Sequence, residues 1–212
     1  MKKYISILVI IVIIGLVGWY AATRSYINPS KVSNTPESGI LETVYSNDTI
    51  GFSLRLPSLA SSSIENADRY TIDELHMYQA SPSKKIYGVK FTIPKSLATG
   101  TNLGSDSYIS IESIPNTKSC TANLFLDGTN PVIEKIDGGF VYSFSEASGA
   151  GAGNRYEETI YALLGTNPCI AVRYFVHYGV PQNYPEGSIM EFDKAALVDQ
   201  FDQIRKTLVI NQ

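Results

Sequence analysis

The hydropathy pattern opens with a run of 19 uncharged positions, Tyr4 to Ala22, preceded by Met1-Lys2-Lys3 and followed closely by Arg24. At about 1.5 Å per helical residue the run spans roughly 28 Å, close to the ~30 Å hydrocarbon core of a bilayer, and it predicts one transmembrane helix over residues 4–22. Trp19 and Tyr20 close it, and such rings favour the headgroup boundary. Lys2 and Lys3 place residues 1–3 as a cytoplasmic tip, against the weaker opposing charge of Arg24. A cleaved signal peptide needs small side chains before the cut, whereas Tyr20 and Trp19 fill the −3 positions before cuts after Ala22 and Ala21. The segment therefore reads as an uncleaved, single-pass signal anchor. Residues 23–39, TRSYINPSKVSNTPESG, are polar, hold two prolines and follow neither strand nor helix period, which predicts a flexible tether. Residues 40–212 are left for one extracytoplasmic domain at the cell membrane.

In that domain the period is mostly two. Gly51–Leu56 alternates Phe52, Leu54 and Leu56 with Ser53 and Arg55 and stops at Pro57, the signature of a half-buried strand. Residues 86–93 and 108–114 alternate likewise and end at Pro94 and Pro115. Strands over 132–136 and 140–144 flank Asp137-Gly138, a tight-turn signal. The glycine-rich stretch 147–154 is expected to connect onward to a strand over 155–164, and residues 165–168 to turn the chain into 169–178. In this last strand Ile170, Val172, Tyr174 and Val176 share one face, and Cys169, Ala171, Arg173, Phe175 and His177 the other. Both faces are partly apolar, which predicts a central strand covered by helix on one side and by a second layer on the other.

The period then switches to that of a helix. Asp193 suits an N-cap, Phe192 and Leu197 suit a hydrophobic staple, and Leu197, Phe201 and Ile204 recur at i, i+4 and i+7. Residues 207–210 are expected to add a short closing strand, and residues 119–126 a second, shorter helix. The fold class is thus α+β: an N-terminal transmembrane helix, then a mainly antiparallel sheet with flanking helices.

Charge narrows the function classes. The chain holds 17 basic and 20 acidic residues; without Lys2, Lys3 and Arg24 the exported part has 14 against 20, a net charge near −6. No cluster of Lys and Arg interleaves with aromatics, so neither nucleic acid nor anionic lipid is an expected partner of the domain. The two cysteines, Cys120 and Cys169, are an even pair in an oxidising compartment and are expected to form one disulfide, which would pin the helix at 119–126 to the strand holding Cys169.

The early GFSLRLP strand, the long antiparallel meander and the closing FDKAALVDQFDQIRKTLVI helix and strand resemble the Mog1/PsbP-type α/β/α sandwich of membrane-anchored bacterial proteins of unknown function. The resemblance covers most of residues 43–210. It implies a binding or assembly module: PsbP supports photosystem II and Mog1 binds a small GTPase. No functional residue of those proteins carries over to this chain by a local motif.

Motifs for chemistry are weak. SGAGAGN at 148–154 lacks the Lys-Ser/Thr of a phosphate loop. His177 with Asp193 or Asp199 and a serine outlines a hydrolase triad without a nucleophile elbow, and an exported hydrolase using His177 is the alternative function. His76 beside Asp73 and Glu74, and the acidic set Glu186, Glu191, Asp193, Asp199 and Asp202, lack metal-loop spacing, so no metal and no cofactor is implied; a solute- or metal-binding domain is the remaining class. The clearest hint is aromatic: Tyr174, Phe175, Tyr178 and Tyr184 gather around HYGVPQNYPEG, and rigid rings near a loop make a contact surface. The expected function is a non-catalytic, membrane-anchored binding module with a protein or peptide partner at its outer, membrane-proximal surface.

Overall fold

The computed structural model describes residues 42–57, 68–81 and 84–211, all within the unit Ile40–Gln212. The expected transmembrane helix, cytoplasmic tip and tether lie outside the described residues. Among the described residues no helix is long and apolar enough to cross a membrane.

Two antiparallel sheets form. Strands β1 (Glu42–Asn47) and β2 (Phe52–Pro57) make a hairpin, and β10 (Val209–Ile210) pairs with the other edge of β2. The larger sheet has the order β3-β4-β5-β9-β8-β7-β6, built from β3 (Thr71–Ser81), β4 (Lys84–Thr92), β5 (Tyr108–Ile114), β6 (Ile133–Asp137), β7 (Phe140–Gly151), β8 (Asn154–Leu163) and β9 (Cys169–Gly179). One helical turn, α1 (Lys95–Ala98), and one longer helix, α2 (Lys194–Lys206), complete a sheet-dominated α+β fold.

β9 is the middle strand of seven, and its alternation explains why both its faces are apolar. Ile170, Val172, Tyr174 and Val176 join Phe52, Leu54, Phe91 and Ile109 in the main core, to which α2 contributes Leu197, Phe201 and Ile204. On the other face Cys169 and Ala171 join Cys120, Phe125, Leu126 and Ile160 in a second core. Helix α2 starts where the pattern predicts, because the Asp193 carboxylate accepts from Ala196 N at 3.0 Å and satisfies an otherwise orphaned donor.

Cys120 and Cys169 are disulfide-bonded, 49 residues apart in sequence, which in the chain-entropy model stabilises the fold by up to about 4 kcal/mol. The bond ties the stretch leading into a short 3-10 turn, Ala122–Leu124, to the start of β9; that turn stands where a second helix is expected over 119–126.

Two turns differ from expectation. The β6–β7 turn has Gly138-Gly139 at its centre, with φ of +58° and +83°, while Asp137 pairs with Phe140, one residue later than the Asp137-Gly138 signal implies. Residues 147–154 are not a loop: β7 and β8 pair from Tyr142↔Leu163 out to Gly151↔Asn154, and the turn is only Ala152-Gly153. Backbone ladder bonds hold this ribbon, and small residues weaken the alternation that would have revealed it.

Candidate functional site

The second face of the large sheet carries the most organised polar and aromatic chemistry. Alternation along β9 places Arg173, Phe175 and His177 there with Cys169 and Ala171. Register then fixes their neighbours: Ser110 and Ile160 beside Arg173, Tyr108 and Glu158 beside Phe175, and Tyr156 beside His177.

Arg173 is fully buried and fully engaged. Its Nε and Nη2 donate to the two oxygens of the equally buried Glu112 at 2.7 and 2.9 Å, Nη2 also donates to the Phe125 carbonyl at 2.6 Å, and Nη1 donates to Glu158. The Tyr78 ring lies 3.6 Å from the guanidinium carbon, and the Tyr78 hydroxyl donates to Glu158 at 2.7 Å. Burial alone would lower the Arg173 pKa, but the Glu112 and Glu158 carboxylates outweigh it and raise it. The cluster is a satisfied structural floor with no group free to react.

Next to it runs a row of rings. His76 meets Tyr108 edge-on at 5.2 Å, Tyr108 stacks on Phe175 at 4.9 Å, Phe175 lies 6.3 Å from Tyr156, and Tyr156 stacks on His177 at 4.6 Å. Tyr108 is buried and the other four are half-buried. Across from Tyr156 stands Gly149, where an added Cβ would meet nothing within 4 Å, so that flank of the ring is open.

His177 closes the row and is clamped. Its Nδ1 lies 2.7 Å from Asp106 Oδ1 and its Nε2 3.1 Å from Asn154 Oδ1. Gly104 passes close to the pair: a Cβ there would come within 2.6 Å of both His177 Nδ1 and Asp106 Oδ1. Ser107 is spent on the backbone, with Oγ accepting from His177 N at 3.0 Å and donating to His177 O at 3.2 Å. The ring therefore faces a carboxylate and an amide, and among the described residues neither of its nitrogens meets a hydroxyl or thiol to activate. Asp193 caps α2 and Asp199 accepts from Gln203 at 2.8 Å, so Asp106 holds the place beside His177 that the sequence offers to Asp193 or Asp199.

The four aromatic residues singled out from sequence are not brought together. Phe175 lies in the row. Tyr174 faces the main core, where its hydroxyl donates to Asp202 at 2.7 Å and accepts from Arg205 Nε at 2.8 Å. Tyr178 shares that side, donates to Glu157 at 2.8 Å and packs 5.2 Å from Phe192. Tyr184 is exposed beyond β9 and packs against Gly179, where a Cβ would meet its hydroxyl at 2.5 Å. Sequence reasoning misses Tyr108, Tyr156, Asp106 and Asn154, which reach the site only through the pairing of β5 and β8 with β9; knowledge of that register is the signal that would have found them.

His76 turns toward Tyr108 rather than joining a metal cluster: Asp73 pairs with Lys90 at 3.7 Å and Glu74 accepts from Tyr45 at 3.2 Å. Burial lowers the His76 pKa, which favours the neutral imidazole. Among the described residues no three His, Cys, Asp or Glu side chains are grouped to hold a metal ion. No protein-family model, curated protein or solved structure matches the chain.

Proposed function

We propose that the protein is a non-catalytic binding module, tethered to the outer side of the cell membrane through residues 4–22, whose contact surface is the aromatic row on the second face of the large sheet. One observation carries this reading: four half-buried rings and one buried ring form a continuous line, with two stacked pairs in it, beside, and not within, the two cores. Rings held at 4.6–4.9 Å by their strands have little freedom left to lose when a ligand settles on them. An extended peptide segment of a partner protein is the occupant that such a line suits. The hydrolase alternative has less support, because the partners of His177 are Asp106 and Asn154. The early strand β2, the antiparallel run from β6 to β9 and the closing α2–β10 pair support kinship with Mog1/PsbP-type sandwiches as a part of the same proposal.

The test is photo-crosslinking of the full chain in native membranes, with a reactive amino acid at position 156 and, as control, at the exposed position 209 on the small sheet. A discrete protein adduct formed from 156 and absent from 209 is expected. Replacing Phe175 by serine should weaken capture by about 0.5–1.5 kcal/mol, the scale of one aromatic contact. Identical adducts from both positions, or none, would overturn the proposal. Protease applied to intact cells should cut between residues 23 and 39, and complete protection would reverse the assigned orientation.

A further inference from the structure

We propose a second site, on the opposite sheet face, that binds a small zwitterion of dipeptide size. A crevice of about 310 Å³ lies between α2 and the outer strands β6 to β8. That volume sits at the lower end of the roughly 300–1,000 Å³ typical of ligand pockets and suits a ligand of a few residues at most. Its apolar walls are Phe144, Tyr161, Val176 and Val198.

The charges around it select the ligand. Four charged side chains line the crevice: Lys135, Glu146, Glu157 and Lys194. Glu157 and Lys194 neutralise one another, and Glu157 also accepts from Tyr178. Lys135 and Glu146 form no ion pair or hydrogen bond among the described residues. The Lys135 ammonium is instead held over the Phe144 ring, 3.1 Å from its centroid, with the Tyr161 ring at 5.6 Å. The crevice therefore offers one fixed, uncompensated cation and one uncompensated anion above an aromatic floor.

The volume sets the size of the ligand. Lys135 is anchored over Phe144, which precedes Glu146 by two positions on the same face of β7, so the two charges flank the aromatic floor. The space of about 310 Å³ takes a ligand of a few residues at most. A carboxylate at Lys135 and an ammonium at Glu146 would each find an opposite charge, with the side chains between them over Phe144 and Tyr161. Neither charge belongs to the aromatic row, so this site stands or falls independently of it.

Calorimetric titration of the full chain with alanyl-phenylalanine, its N-acetyl form, its C-terminal amide and free phenylalanine tests the assignment. The free dipeptide should bind at least about tenfold more tightly than either capped form or the single amino acid. Lys135→Met should abolish the preference over the amide and leave that over the acetyl form; Glu146→Gln should do the reverse. Equal binding of free and capped dipeptide to the unaltered chain would sink the proposal, whatever the variants do. So would a preference that survives both substitutions, or tighter binding of free phenylalanine, which would mean a smaller ligand.

Discussion

Arg173 and Arg205 are the largest fully buried side chains, and each is a cation that the fold must neutralise locally. Removing one partner of a buried, hydrogen-bonded ion pair leaves the other charge uncompensated, which costs about 3–5 kcal/mol. Glu112→Gln is therefore expected to lower unfolding stability by about 3 kcal/mol, the lower end because Glu158 still faces Arg173, as read by urea denaturation. Arg205 is shared among Tyr174, Asp202 and Asp137, with Nη2 donating to Asp137 at 2.7 Å. That hydrogen bond, more than its partly opposing burial, holds the Asp137 carboxyl below its ordinary value. A carboxyl depressed in the folded state binds protons more readily when unfolded, so its stabilisation is complete above the ordinary value near pH 4 and fades as pH falls through the folded value. Asp137→Asn should accordingly flatten the loss of stability as pH falls below about 4, and an unchanged acid profile would remove Asp137 from that role. Neither arginine announces itself in the sequence. Arg173 occupies an ordinary polar position of an alternating run, and Arg205 follows a core residue of an amphipathic helix.

Among the elements, a buried face made most strands and the helix legible; β6 and β10, with no buried residue, were marked by a turn signal and by their place after the helix, while β1 and β3 were not legible. The strands β2, β4, β5 and β9 alternate because one or both faces meet a core, and α2 shows its period because Leu197, Phe201 and Ile204 all enter one. β1 sends Thr43, Tyr45 and Asn47 toward the side of Leu56, Leu54 and Phe52, too polar a set to read as a strand. β3 is an edge strand with register shifts near Asp73–His76 and Gln79–Ser81 and with Leu75 exposed, so its pattern has no single period. The outer half of β7 was hidden by its small residues, whereas β8, expected over 155–164, begins one residue earlier at Asn154, one of the two ring contacts of His177. The turn they share is strained: Ala152 has a φ of +49°, where a Cβ is disfavoured. Ala152→Asn would form the Asn-Gly pair that a type I′ turn prefers, and it should raise thermal stability by about 0.5–1 kcal/mol. A loss of stability would show that the turn depends on something other than its backbone.

At the scale of the whole molecule, two apolar cores lie on opposite faces of one seven-stranded sheet; the aromatic row lies beside the second core, and the crevice opens against Phe144, Tyr161 and Val176 of the main one. Site residues were the least legible part of the chain, because they are assembled by strand register: Tyr108 and Phe175, or His177 and Asp106, are about 70 residues apart and meet only after β5 and β9 pair. The small sheet has a different consequence. β1 and β10 occupy the two edges of β2, but Glu42 lies opposite Pro57 and Ile210 opposite Phe52, so the beginning and end of the described fold stand at opposite ends of this sheet, roughly 20 Å apart. β1 is fastened to β2 by six residue pairs and β10 by two, while β2 is also held by Phe52, Leu54 and Leu56 in the main core, and the disulfide lies deeper in the chain. Tension arriving at Glu42 against a hold at the C-terminal end would thus unfasten this sheet first. In single-molecule pulling the domain should yield in two steps, a weak early one and a strong later one, so that the small sheet acts as a mechanical fuse that spares the large one.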